Sequence, residues 1–131
     1  MTGLDTNVIV RYIVQDDVAQ AGKATALIES LSEESPGFLS MTAVVELVWV
    51  IQGCYHASEE ETFAILDRLL CLKTLRLENA EVMTKALRVY AGSNVDFADC
   101  LIERSGNHAN CSHTMTFDGK AAKAAGMQLL G

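Results

Sequence analysis

Apolar residues along the chain follow two alternating patterns: short runs that fit strands, and longer stretches with the three-to-four spacing of a helix face. Thr2 to Asp5 predicts a short first strand and Asn7 to Val14 a short helix. Val18 to Ser32 carries alanines and apolar residues at helical spacing until Ser35-Pro36-Gly37 breaks the pattern. Phe38-Leu39-Ser40 predicts a strand, and Thr42 to Gln52 a buried helix with Gly53 near its end. Ser58 and Glu61 have the spacing of a capping box, opening a helix that reaches Leu70. The run Glu59-Glu60-Glu61 then reads as first-turn acids favoured by the helix dipole. Thr74 to Leu77 predicts a strand, Asn79 the cap of a helix through Tyr90, and Gly92-Ser93-Asn94 a turn. Asp96 begins a helix through about Ser105, His113 to Phe117 is a strand, Lys120 to Ala125 a short helix, and Met127 to Leu130 a last strand.

Strands alternating with helices across short connections imply a parallel sheet covered by helices on both faces. The expected class is therefore α/β, a three-layer α/β/α sandwich with a central, mainly parallel sheet. No repeat, low-complexity tract or linker divides the sequence, so residues 1–131 are expected to form a single domain. In open sheets of this kind, sites form beyond the carboxyl ends of the strands.

Composition narrows the class. Half the residues are apolar, which excludes a disordered chain and supports a core without disulfide or metal staples. The cysteines, Cys54, Cys71, Cys100 and Cys111, show no CxxC pair, and each lies in or beside an apolar run. They read as reduced core or near-core thiols. Cys111-Ser112-His113 is half a metal-site spacing with no second pair to complete it. Asp5 and Arg11 interrupt the first apolar stretch, so no signal-peptide pattern opens the sequence. The longest apolar run, Ala43 to Ile51, is too short to span a bilayer and contains Glu46. A soluble, cytoplasmic protein without a membrane partner is expected. The formal charge of −7 argues against a nucleic-acid partner, subject to where the charges sit.

Five carboxylates stand out. Asp5 ends the first strand, where its ordinary role is the N-cap of the next helix. Glu46 sits in Ala-Val-Val-Glu46-Leu-Val-Trp-Val-Ile, and of its helical neighbours only Thr42 is polar. A carboxylate in such surroundings needs a cation, a partner or an edge of solvent, since leaving it buried and unpaired costs several kcal/mol or its charge. Asp96 and Asp99 open a helix in Val-Asp96-Phe-Ala-Asp99-Cys-Leu-Ile, and Asp118 closes the strand Thr-Met-Thr-Phe-Asp118. Asp96 has an ordinary reading as an N-cap, Asp99 as a first-turn acid and Glu46 as a salt-bridge partner. Each position alone is ordinary, but three strand-end or helix-start aspartates with a glutamate inside an apolar helix are not an ordinary set. Converging carboxylates repel unless neutralised, and hard divalent cations prefer such oxygen ligands. That arrangement suits metal-assisted phosphodiester hydrolysis.

At these residues the chain resembles the PIN-domain ribonucleases, in particular the VapC-type toxins of bacterial toxin–antitoxin pairs. Gly-Leu-Asp5-Thr6-Asn7-Val-Ile-Val-Arg11-Tyr is similar to the family's first motif, and Leu-Ser-Met-Thr-Ala-Val-Val-Glu46-Leu to its second. Asp96-Phe-Ala-Asp99-Cys-Leu-Ile resembles the third, and Thr116-Phe-Asp118 the fourth. The motifs appear in the family's order over essentially the whole chain. The resemblance implies an acidic quartet of Asp5, Glu46, Asp99 and Asp118, with Asp5 and Asp99 as direct metal ligands. It also implies that Asp96, Asn7, Thr116 and Arg11 line or hold the site. The implied activity is Mg²⁺- or Mn²⁺-dependent cleavage of single-stranded RNA, with a homodimer and a cognate antitoxin as partners. Glu103-Arg104 depart from the small residues the family often carries after the third motif.

Other chemistries find less support. His56, His108 and His113 lie in no recognisable constellation, and no Gly-rich phosphate loop or nucleophile elbow is present. Trp49, among apolar neighbours, reads as core. A phospho-acceptor receiver domain would need an Asp near Phe38 to Ser40, and a haloacid-dehalogenase-like phosphatase a second Asp two residues after Asp5; neither is there. A catalytically silent relative that only binds RNA or protein is the remaining alternative. Arg11, Arg104, Lys120 and Lys123 follow the motifs in sequence and are expected to rim the groove with positive charge.

Overall fold

Strands and helices alternate along the chain as β1 (Thr2–Gly3), α1 (Thr6–Val14), α2 (Val18–Glu29), β2 (Gly37–Leu39), α3 (Met41–Gly53) and α4 (Glu59–Cys71). They continue as β3 (Leu75–Leu77), α5 (Ala80–Tyr90), α6 (Phe97–His108), β4 (Met115–Thr116), α7 (Gly119–Ala124) and β5 (Gln128–Leu129). The computed structural model describes residues 1–131. The first three strands form a parallel sheet in the order β1-β2-β3, with Thr2 opposite Gly37 and Leu39 opposite Leu77. This is the expected α/β class, with helical crossovers between strands because parallel neighbours cannot be joined by a hairpin. The sheet is narrower than the pattern implied: β4 pairs with β5, also parallel, in a separate two-stranded sheet. β1 and β4 are two residues each, which leaves few backbone groups to extend a ladder between the two sheets.

The core gathers on the central strand. Leu39 of β2 is fully buried together with Ile9, Val44, Leu47, Ile51, Leu66 and Met83. Gly37 on the same strand leaves room for three leucines. A Cβ there would stand 2.9 Å from Leu4 Cδ1 and Leu31 Cδ1 and 3.2 Å from Leu75 Cδ1. The aromatic pair Tyr90 and Phe97 closes the α5–α6 junction edge to face, with ring centroids 5.7 Å apart.

Helix starts follow capping chemistry with two exceptions. Asp17, Ser40 and Ser58 each accept a backbone N–H of the following turn, and Ser58 with Glu61 forms the complete capping box. Ser40 therefore ends β2 and starts α3, one residue earlier than the pattern predicted. Asn79 and Asp96 hold N-cap positions but make no side-chain capping bond. Asn79 instead sits in the left-handed region at φ 50° and donates from Nδ2 to the Met41 sulfur.

Two expectations about apolar surroundings are corrected. α3 buries Ala43, Val44, Leu47, Val48 and Ile51, while Thr42, Glu46 and Trp49 form an exposed stripe on its opposite face. Trp49 is 63% exposed, so it is no core residue. The helix is apolar on more faces than the core can cover. Of the cysteines only Cys100 is buried; Cys54, Cys71 and Cys111 are exposed. Burial, reinforced by the neighbouring Asp99 carboxylate, pushes the Cys100 thiol up to about 11.

Candidate active site

Asp5 follows β1 and caps α1, its Oδ1 accepting the Thr6 N–H at 2.9 Å. Thr6 is buried, and its hydroxyl reaches across to α3, 3.5 Å from Glu46 Oε1. Asp5 and Glu46 thereby face the same hollow of about 330 Å³, whose wall also includes Asn7, Arg11, Cys54 and Tyr55. Glu46 meets its need for solvent through the exposed stripe of α3.

A second acidic group lies at the start of α6. Burial raises the Asp99 carboxyl, and the charges of Asp96 and then Asp118 raise it further. Asp96 is exposed and free of a capping bond, whereas Asp118 is held: its Oδ1 accepts from the Lys120 and Ala121 amides at the start of α7. Thr116 fixes the same turn, its hydroxyl accepting the Asp118 N–H at 3.0 Å. α3, which carries Glu46, packs against α6, which carries Asp99. Glu46 shares a hollow of about 430 Å³ with Leu101 and Ile102, which follow Asp99 by two and three residues.

The three ion pairs of the protein are Arg11–Asp16, Lys85–Glu81 and Arg104–Glu103, and none of the five acids takes part. All five offer hard oxygen donors, and Asp99 is pushed toward its protonated form first by burial and then by the like charges of Asp96 and Asp118, an effect that a bound cation would oppose. The donor set therefore fits Mg²⁺ or Mn²⁺ in chemistry. It is not drawn tight, since no three His, Cys, Asp or Glu side chains gather into a ready-made ligand set.

The basic rim is only partly where sequence order suggested. Arg11 lines the Asp5–Glu46 hollow, and Lys120 and Lys123 lie on α7 after Asp118. Arg104 is committed to Glu103 through Nε at 2.6 Å and Nη2 at 3.1 Å. Lys23 and Gln20, which no motif singled out, line a hollow beside Asn7 and Arg11. Their only signal in the sequence is the three-residue spacing on α2. His56, His108 and His113 are all exposed.

The strand ends and helix starts of this α/β domain thus carry acids that no cation of the protein pairs. The chain belongs to the PIN domain family, whose model matches residues 4–127. PIN domains are usually nucleases, and their members generally use divalent metals. No curated relative matches the sequence. No helix is long and apolar enough to cross a membrane.

Proposed function

We infer that this protein is an Mg²⁺- or Mn²⁺-dependent endoribonuclease that hydrolyses phosphodiester bonds of single-stranded RNA, acting as one domain over residues 1–131. The observation that carries this reading is that none of the five motif acids is paired with a cation of the protein, with Asp5 and Glu46 sharing one hollow and Asp99 feeling the charges of Asp96 and Asp118. In this reading Asp5 and Asp99 hold the ion directly, and Glu46 and Asp118 complete the acidic set. When bound, a hard divalent cation supplies an acidified water and neutralises charge on the phosphate. The Lys120 and Ala121 amides and the Thr116 hydroxyl hold Asp118 in place. Thr6 steadies Glu46, Asn7 and Arg11 line the hollow beside it, and in this reading Asp96 supports Asp99.

The motif order supports a narrower role as a cytoplasmic toxin whose groove is blocked by an antitoxin. The exposed apolar surface of Trp49 and Ile102 between α3 and α6 supports a homodimer.

The test is cleavage of single-stranded RNA by the purified chain with Mg²⁺ or Mn²⁺, beside Asp5→Asn and Asp99→Asn. Cutting should fall about 100-fold or more in each variant. The ion should raise the melting temperature of the unmodified chain only, because stabilisation by a ligand requires its site. Full activity in both variants would sink the assignment. RNA binding without cutting by the unmodified chain would identify the silent domain instead.

A further inference from the structure

Two hollows meet along α1. Asn7 and Arg11, one helical turn apart, line both the hollow of Asp5 and Glu46 and a second one, of about 290 Å³, between α1 and α2. Across this second hollow α2 contributes Gln20 and Lys23, three residues apart and so on one face. Its remaining lining is the apolar Val8, Ala24 and Leu27, and no carboxylate enters it. An acidic hollow thus shares a wall with one lined by Lys23, by two amides and by Arg11, whose Nη1 is paired with Asp16.

Arg11 has bonding capacity to spare. Both of its side-chain hydrogen bonds, to Asp16 at 2.6 Å and to the Tyr55 hydroxyl at 3.2 Å, leave from Nη1. Its Nε is the one buried side-chain polar atom in the protein without a partner. Nη2, by contrast, makes no hydrogen bond within the protein and is the donor that Arg11 can offer to a ligand. A guanidinium N–H of this kind donates a charge-assisted hydrogen bond to a phosphate oxygen, and Lys23, on the same hollow, adds a mobile point charge.

We propose that Asn7, Arg11, Gln20 and Lys23 form a phosphate subsite, taking the backbone phosphate of single-stranded RNA that neighbours the one at the acids. The identity of the ligand rests on the nuclease reading; the subsite's geometry does not. A chain of charge −7 repels RNA at long range, so a local cationic seat beside the acids gives the strand a register that the acids alone do not provide.

The experiment measures single-stranded RNA binding by fluorescence anisotropy across a salt series with Mg²⁺ present. It uses the full chain carrying Asp99→Asn to suppress cleavage. Arg11→Ala and Lys23→Ala should each weaken binding roughly fivefold and lower the slope of log K against log salt by about 0.7. Lys85→Ala, on α5 and paired with Glu81, serves as the control and should change neither. Circular dichroism confirms that each variant is folded. Affinities and slopes matching the Lys85→Ala control would overturn the subsite, as would an Asp99→Asn chain that binds no RNA. Cleavage by the unmodified chain is scored separately. Weakened binding without any cutting would leave the subsite standing and remove the nuclease reading, whereas cutting with unchanged affinity would remove the subsite alone.

Discussion

The Thr6 hydroxyl of α1 lies 3.5 Å from the Glu46 carboxylate of α3 and 3.4 Å from the Ala43 carbonyl one turn earlier on the same helix. The single hydroxyl proton is shared between these two long contacts, which tie the residue after Asp5 to the helix that carries Glu46. Thr6→Val keeps the shape and removes the hydroxyl. It should cost about 1 kcal/mol of stability. Cleavage should fall further, by roughly tenfold, if Glu46 loses its orientation. Melting curves and single-turnover cleavage on the same preparations separate the two effects. Equal losses in both would show that Thr6 is purely structural.

Ser58 and Glu61 provide a pH test away from the site. The Ser58 backbone N–H, bonded to the Glu61 carboxylate at 2.9 Å, holds that carboxyl below its ordinary range, with the Ser58 hydroxyl as the next cause. The unfolded chain therefore binds the proton more readily than the folded one. Stability from this group is fully present above the usual glutamate value, about 4.3, and is lost as pH falls through the lower folded value. Glu61→Gln should melt below the unmodified protein at pH 7, and the gap should close as the pH drops below the carboxylate range. A gap independent of pH would assign the effect to packing.

Gly37 tests the core of the sheet. Its position on the central strand is closed over by three leucine methyl carbons within 3.2 Å of a hypothetical Cβ. Gly37→Val should overpack this point and destabilise the chain by about 1–3 kcal/mol in urea denaturation, with an unchanged slope. An unaffected midpoint would mean that Leu4, Leu31 and Leu75 rearrange freely.

The α3–α6 surface tests the dimer. Trp49 is 63% and Ile102 55% exposed on neighbouring helices. Trp49→Glu combined with Ile102→Glu should convert a dimer to a monomer in sedimentation velocity. Because the apolar groups removed are already exposed, the melting temperature at low protein concentration should change little. An unmodified protein that stays monomeric at high micromolar concentration would exclude this interface.

Local chemistry was the most legible part of the sequence. Ser58 and Glu61 form the expected capping box and Asp5 caps α1 as expected, while Asn79 and Asp96 stand at the expected cap positions without a capping bond. Capping depends on residues within one turn, so spacing alone can reveal it. α3 was harder to read because valines, leucine and isoleucine surround its every face, so apolarity alone did not show that Thr42, Glu46 and Trp49 look outward. The separation of β4–β5 from the central sheet was equally hidden, since it depends on pairing between two-residue strands distant in sequence. Lys23 was missed for a related reason. It belongs to no motif, and only the packing of α2 on α1 brings it beside Arg11.

Trp49 is the chain's single tryptophan, and it stands three residues after Glu46 on the exposed stripe of α3. The protein's intrinsic indole emission therefore arises at one address, the hollow between α3 and α6 that Glu46 also lines. In the free chain it should resemble that of a hydrated indole and be readily quenched by acrylamide. A blue shift or loss of quenching on adding RNA, a protein partner or more of the chain itself would report, without any label, that something had come to rest in that hollow.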